Sequence, residues 1–247
     1  MDMKLAHQNA KARENMYRFF STVYLHPPNV ELLHQIVAKK EFLEELSVLF
    51  GKSTVAALRE FAVTVDIDKD LSSLEQEYMN LFAVPTGRYV TPFEDVYRGK
   101  TDNGQQIRGP LLGECAIRVK RMYRAAGTEM EKTCKELLTH IGVELSFMSF
   151  LCEMEAEAII NQEGETYNDQ AEREAIDFLR FRELQITFLQ EHLNEWFPQL
   201  SQSIQTNSRS QLYRGLTIIT EKFLGQDTAF LLAIANSEKC KPETEIP

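Results

Sequence analysis

No apolar run in this sequence approaches the ~18 residues that a membrane-spanning helix requires, although 43% of its 247 residues are hydrophobic. Residues 1–20 also lack the apolar stretch of a secretory signal. A chain of this length and composition can bury a substantial core. We therefore expect a soluble, cytoplasmic protein with one large domain or two small ones.

Cysteine is scarce, and its four occurrences are isolated: Cys115, Cys134, Cys152 and Cys240. None forms a C-x-x-C pair, and no histidine lies at zinc-finger spacing from any of them. Isolated thiols are typical of a buried core in a reducing compartment. We therefore expect neither a disulfide nor a structural metal site.

Positive charge is in deficit, with a net charge of −10 and a pI of about 5.1. This deficit argues against a nucleic-acid-binding protein, which needs a basic face for phosphate contacts. Residues 153–177 hold nine acidic side chains against one basic side chain, Arg173. This acidic tract is either a solvated helix end and loop or a field that attracts a basic partner.

Motifs for catalysis and cofactor binding are missing from the sequence. It contains no G-x-S-x-G, no P-loop and no dinucleotide-binding glycine pattern. A di-iron bundle would need two E-x-x-H motifs, and one is present, from Glu31 to His34. We therefore expect no enzyme activity, no catalytic residue, no metal and no bound cofactor.

Helical periodicity is present almost throughout, and convincing strand alternation is missing. The first helix carries one apolar stripe at i, i+3, i+4, i+7 and i+8: Met16, Phe19, Phe20, Val23 and Tyr24. Later patterns predict a helix over 169–197 that ends near Pro198. They also predict a helix over 209–224 capped by Gly225, and a short last helix over 228–236. The fold class is all-α, a bundle of roughly ten helices.

A 28-residue connection without a clear helical pattern spans 83–110 and holds four of the eleven glycines and three of the eight prolines. Such long connections are usually functional or disordered. We take it as the link between an N-terminal helical group, 1–82, and a C-terminal helical group, 111–236, which could also form a single domain. The remaining tail, 237–247, is expected to be disordered.

Apolar, aromatic and acidic side chains occur together in the connection. Surface loops do not normally keep such a combination, so the connection is expected to pack against a core or to bind a ligand. A later helix is apolar almost all round at its centre, with His140 and Glu144 at its N-terminal end. This combination favours an apolar groove with an acidic rim, suited to a basic peptide. Two structural alternatives stay open. His140 and Glu144 could form a purely structural pair that satisfies its own hydrogen bonds, and Tyr78 and Phe82 could be core residues without a role in binding.

Two stretches carry a family resemblance. Residues 77–97 contain E-Y-M-N-L-F-A-V-P and then P-F-E-D-V-Y, and residues 140–148 read H-I-G-V-E-L-S-F-M. They are similar to the patterns E-Y-x-x-L-F-x-G-P, P-P-Y-E-S-V-Y and P-D-H-x-G-x-E-L-x-F of the TorD/DmsD family. These are cytosolic redox-enzyme maturation chaperones of the twin-arginine system. Further similarity at 188–196 and 213–216 extends the match over about residues 14–235.

The resemblance implies an all-helical chaperone that binds the twin-arginine signal peptide, and often the body, of a molybdoenzyme precursor. Such a chaperone holds the precursor for insertion of its molybdenum cofactor before export, in anaerobic respiration. Family members occur as monomers or domain-swapped dimers, and weak GTP binding is associated with some. The alternatives are a small helical metal-binding or catalytic bundle, or a structural subunit of a respiratory oxidoreductase.

The resemblance also supplies candidate contacts for the signal peptide. Aromatic residues would shape the groove, and carboxylates with a histidine at its rim would meet the two arginines. The predicted contacts are Tyr78, Phe82, Pro92, Phe93, Glu94, Asp95, Tyr97, His140 and Glu144.

Two positions depart from the family pattern. Asp95 stands where the pattern has serine, and Leu138-Thr139 stand where it has proline and aspartate. The missing aspartate argues against GTP binding, so we expect no nucleotide here. The sequence does not identify the client oxidoreductase.

Overall fold

The computed structural model describes residues 2–37, 40–85, 87–99, 101–102, 105–106, 108–129, 136–163 and 169–239. Eleven α-helices lie in these ranges: α1 (Met3–Leu25), α2 (Val30–Val37), α3 (Lys40–Phe50), α4 (Lys52–Thr64), α5 (Ile67–Tyr78), α6 (Glu94–Tyr97), α7 (Glu114–Ala125), α8 (Ile141–Glu163), α9 (Asp169–Phe188), α10 (Asn194–Asn207) and α11 (Gln211–Lys239). Two π-helical segments continue α5 and α9, namely π1 (Met79–Ala83) and π2 (Leu189–Leu193). The prediction of an all-α fold is confirmed.

The core forms around α1 and α8, which share the most extensive interface among the described helices. The predicted stripe of α1 is buried at Phe20, Val23 and Tyr24, and α8 contributes Phe147 and Leu151. Because the centre of α8 is apolar almost all round, it can pack against α1 and α9 at once. None of the described helices combines the length and apolarity that crossing a bilayer would take.

Two predicted helix ends are wrong. Pro198 lies inside α10 rather than after a helix, and Gly225 lies inside α11. Phe197 and Leu200, on either side of Pro198, are buried, so core packing carries the helix through the proline. Beyond Gly225, Leu231 is fully buried, so core packing carries the helix onward. Asp227 is buried as well and bonds to Arg13 instead of capping a new helix.

The 83–110 connection contains more regular structure than predicted. It includes α6 and a two-residue antiparallel pair, β1 (Thr101–Asp102) with β2 (Gln105–Gln106). The proposed division into two helical groups stays a prediction. Helices of both groups contribute to one hydrophobic cluster, which includes residues of α1–α5 and of α7, α8, α10 and α11. The first three residues of the predicted tail, 237–239, belong to α11. The remaining residues of the tail lie outside the described residues.

A close approach between α4 and α11 depends on Gly215. A Cβ atom at this position would lie 2.9 Å from the backbone nitrogen of Leu58 and 3.2 Å from its Cα. Backbone atoms cannot move away cheaply, so the two helices need glycine here.

We predict that Gly215→Ala destabilises the protein by about 1–3 kcal/mol, because overpacking exceeds the gain in helix propensity. The matched control is Gly225→Ala, where nothing lies within 4 Å of the added Cβ. That control should stabilise the same helix by roughly 0.5–1 kcal/mol. Urea unfolding measures the change in the free energy of unfolding for each variant. Equal changes in the two variants would contradict the prediction.

Candidate functional site

The structure joins the two motif segments through their backbones. The amide of Glu94 donates to the carbonyl of Thr139 over 2.9 Å, and the amide of Ile141 donates to the carbonyl of Pro92 over 2.8 Å. Between these bonds, Phe93 and His140 form an isolated β-bridge with their rings edge to face at 5.3 Å. The start of α6 is thereby fixed to the start of α8.

Glu94 is the centre of a fully buried polar cluster. Its carboxylate lies 2.9 and 3.0 Å from Nδ1 of His192, and its Oε1 accepts a 2.9 Å hydrogen bond from Arg98 Nη1. Burial opposes ionisation, but the hydrogen bond and attraction from His192 outweigh it and hold the pKa of Glu94 below its usual value. Glu94 is therefore an ionised carboxylate in the interior.

Glu144 is the second carboxyl group of this cluster and differs in protonation. Burial, reinforced by the adjacent charge of Glu94, raises the pKa of Glu144 well above its usual value of 4.5. Its Oε2 accepts a 3.0 Å hydrogen bond from Trp196 Nε1. Its Oε1 accepts no hydrogen bond from a described donor, and the Glu144 side chain is hydrogen-bonded to that of Glu94, which requires a proton between the two carboxyl groups. Tyr97 stacks on Trp196 at 5.4 Å and covers this side of the cluster.

The two departures from the family pattern lie opposite each other. The hydroxyl of Thr139 donates to Asp95 Oδ2 over 2.8 Å, and the amide of Ala116 in the first turn of α7 bonds to Asp95 Oδ1 at 3.4 Å. The pattern has serine at the first position and aspartate at the second. In this chain the two positions form a carboxylate–hydroxyl pair, with the carboxylate at the first position and the hydroxyl at the second.

The prediction of an exposed carboxylate rim is wrong. Glu94 and Glu144 have no exposed surface, and Asp95 and His140 expose 3% and 4%. An ionised or polar group so deep must find its partners inside the protein, and these groups do. His140 Nδ1 accepts the amide hydrogen of Gly142 at 3.0 Å, and burial lowers the pKa of His140 to about 4. At neutral pH it is an uncharged structural histidine.

The predicted aromatic contacts divide into core and partly exposed residues. Tyr78 and Phe82 belong to the core, where Tyr78 donates to the carbonyl of Tyr24 over 3.0 Å. Pro92 is buried by the bridge to α8. Phe93 and Tyr97 are half-buried and keep surface that a ligand can touch. The positions of Tyr78 and Phe82 therefore agree with the alternative that both are core residues.

A cleft of about 390 Å³ lies between the 89–97 segment and α10. Tyr97 lines it, but this cleft is not the apolar groove with an acidic rim that the sequence predicts. The lining is polar, and its charged member among the described residues is a cation: Tyr89, Val90, Thr91, Val96, Tyr97, Arg108, Gln199, Gln202, Ser203 and Asn207. Within the described ranges, no group of three or more His, Cys, Asp or Glu residues is placed to hold a metal ion.

Sequence reasoning missed three members of the cluster: Arg98, His192 and Trp196. Arg98 had a local signal, because it follows Glu94 at i+4 on a helix. His192 and Trp196 also lie four residues apart, so they share one side of the helix that carries them. Their pairing with Glu94 and Glu144 spans 98 and 52 positions, which no local pattern reveals.

Comparisons with known proteins agree with this architecture. The family model described as Nitrate reductase delta subunit matches residues 51–202. The chain is 20% identical over 224 residues to the Chaperone protein TorD of Shewanella pealeana, covering 90% of each protein. It is 20% identical over 249 residues to the Chaperone protein TorD of Colwellia psychrerythraea, covering 92% of this chain and 94% of that protein. A Perchlorate reductase assembly chaperone protein of Dechloromonas aromatica is 27% identical over 133 residues, covering 54% and 52%.

We predict strong coupling between Asp95 and Thr139 in a double-mutant cycle. Asp95→Ser should destabilise the protein because it removes a buried charged acceptor, and Thr139→Asp because it places two carboxylates together. The double exchange should recover stability, with a coupling energy on the order of 1.5–3 kcal/mol. Urea unfolding of the four proteins measures it, and simple additivity would refute the pairing.

We predict that Glu144 makes stability fall as pH rises. Above the usual carboxyl pKa of 4.5 the unfolded chain releases this proton, whereas the folded protein keeps it because the pKa of Glu144 is raised. Glu144→Gln removes the titration and still offers an oxygen to Trp196. The stability of the variant relative to the native protein should therefore rise by roughly 1 kcal/mol or more between about pH 5 and about pH 8.

Chemical unfolding at both pH values tests this prediction. Glu75→Gln on the exposed face of α5 is the control, and its relative stability should not change with pH to the same extent. A relative stability of Glu144→Gln that stays constant or falls would show that Glu144 is ionised in the folded protein.

Proposed function

Since the chain belongs to the nitrate reductase delta subunit family, the TorD-type chaperone family, we propose that it is an assembly chaperone for a molybdenum-containing oxidoreductase. It binds the precursor of that enzyme through its twin-arginine signal peptide. It then holds the precursor until the cofactor is inserted and export can follow. This role requires binding and release, and no chemical step.

The observation that carries this proposal is the extent of the family match. The matched residues, 51–202, include both motif segments and every member of the buried cluster, from Glu94 to Trp196. Two relatives aligned over at least 90% of this chain are named as chaperones. A third is named for assembly of perchlorate reductase, which supports an oxidoreductase as the client.

The buried cluster supports binding rather than catalysis. Glu94 and Glu144 differ in protonation, as an acid–base pair would, but neither exposes any surface to a substrate. A general acid or base must come within hydrogen-bond reach of the group it serves. Their hydrogen bonds instead link the connection and α8 to His192 and Trp196.

The proposal also covers the residues that contact the precursor, the location of the protein and its oligomeric form. Among the predicted contacts, Phe93 and Tyr97 keep exposed surface that the precursor can touch. The cytoplasm is the proposed location, since the precursor must be bound before export. A monomer or a domain-swapped dimer without bound nucleotide is the proposed form.

We predict that the tagged chain, captured from the cells that produce it, carries an oxidoreductase precursor that still has its twin-arginine signal. Mass spectrometry of the captured material identifies the N-terminus of that partner. Replacing the two arginines of the precursor by glutamine should reduce capture several-fold, because glutamine supplies no positive charge.

Other outcomes would replace the proposal. Capture of the mature, assembled enzyme together with its other subunits would identify a structural subunit. A stoichiometric transition metal in the purified chain, without a precursor, would favour the metal-binding bundle.

A further inference from the structure

An apolar groove lies between α1, α3 and α11. Its volume is about 310 Å³, at the lower end of the ~300–1,000 Å³ typical of ligand sites. Apolar and aromatic side chains dominate the lining: Asn9, Ala12, Arg13, Met16, Leu49, Phe50, Phe223, Gln226, Asp227 and Phe230. Leu49 is 57% exposed and Phe230 36% exposed, so the groove is open to solvent.

The charged residues of the groove neutralise each other. Arg13 Nη2 donates to Asp227 Oδ2 over 3.0 Å, and Arg13 Nη1 donates to Glu155 over 3.1 Å. Tyr17 also donates its hydroxyl to Asp227. Because these groups are buried and mutually satisfied, the groove offers an occupant an apolar surface with no free charge at its floor.

An acidic row leads along α3 into this groove. Glu41, Glu45 and Leu49 follow each other at four-residue spacing, so they share one face of the helix with a rise of roughly 6 Å per step. Glu41 and Glu45 are exposed, and neither has a hydrogen bond or ion pair to a described residue. Glu44 differs, because it pairs with Arg59 at 2.8 Å.

The arrangement of this row costs the helix stability. Like charges four residues apart destabilise a helix by roughly 0.2–0.5 kcal/mol. Glu41 lies in the first turn of α3, where the helix dipole favours a carboxylate, but neither Glu41 nor Glu45 has a described side-chain partner. A cationic ligand lying along α3 would relieve this repulsion.

We propose that this groove binds the signal peptide, with its arginines along Glu41 and Glu45 and its apolar run between α1, α3 and α11. The inference rests on the proposed function and adds the place of binding. The signal has positive charge followed by an apolar segment, and the surface has negative charge followed by an apolar groove. That linear match in charge and polarity distinguishes this groove from the cleft beside α10, which is polar and contains Arg108.

The test uses a synthetic peptide with two adjacent arginines, a short polar spacer and a run of leucine and alanine. Calorimetric titration at low salt measures its affinity for the full-length protein. Glu41→Gln with Glu45→Gln should weaken binding about fivefold, as expected for two exposed ion pairs, while leaving stability equal or slightly higher. Leu49→Glu should weaken binding at least about tenfold, because it places a charge in the apolar groove.

Matched controls lie elsewhere on the surface. Glu75→Gln with Glu129→Gln removes the same charge from exposed positions away from the groove, and Val63→Glu replaces a residue that is 88% exposed on α4. Both controls should bind the peptide as the native protein does. A photo-cross-linking residue at position 49 should attach to the peptide, whereas one at position 63 should not.

Several results would overturn the groove assignment. These are failure of the native protein to bind the peptide, equal weakening in the controls, or unchanged affinity in both groove variants. A second copy of the chain would be the occupant if the native protein were a dimer, Leu49→Glu a monomer, and peptide affinity equal in both. Capture of the precursor by the native protein together with unchanged affinity in the groove variants would leave the chaperone function standing and remove this site.

Discussion

The arrangement of this molecule depends on one ionised carboxylate with no access to water. A charge such as Glu94 costs several kcal/mol to bury unless its partners are in place. Those partners are His192 on π2, Arg98 just after α6 and the protonated Glu144 on α8. Because the three come from different parts of the chain, the connection, the central helix and the end of α9 must assemble together for the charge to be satisfied.

This constraint determines what the acidic motif residues can do. Glu94, Asp95 and Glu144 spend their hydrogen-bonding capacity inside the protein, so recognition of a cationic peptide falls to carboxylates that remain at the surface. Asp95 illustrates the same point, because its carboxylate is paired with the hydroxyl of Thr139 inside the protein. The two motif segments are bonded to each other through their backbones, and the open apolar groove lies elsewhere, between α1, α3 and α11.

Sequence patterns were reliable where the physical cause is local. The apolar spacing of α1 predicted its buried face, because side chains three and four residues apart share one side of a helix. Pro198 and Gly225 were misleading, since their effects on an isolated helix are outweighed here by the burial of neighbouring residues. The acidic and aromatic composition of 83–110 predicted a functional connection, but composition does not specify which side chains turn inward.

The sequence by itself determined the all-helical class, the order of the motifs and the shortage of groups for catalysis. Each of these follows from residue type and short-range periodicity. Only the tertiary structure decided that the predicted rim is interior, that Glu94 and Glu144 differ in protonation, and that a separate groove stays open. The physical reason is that burial and pKa depend on partners such as His192, 98 positions away, which helix packing brings within 3 Å.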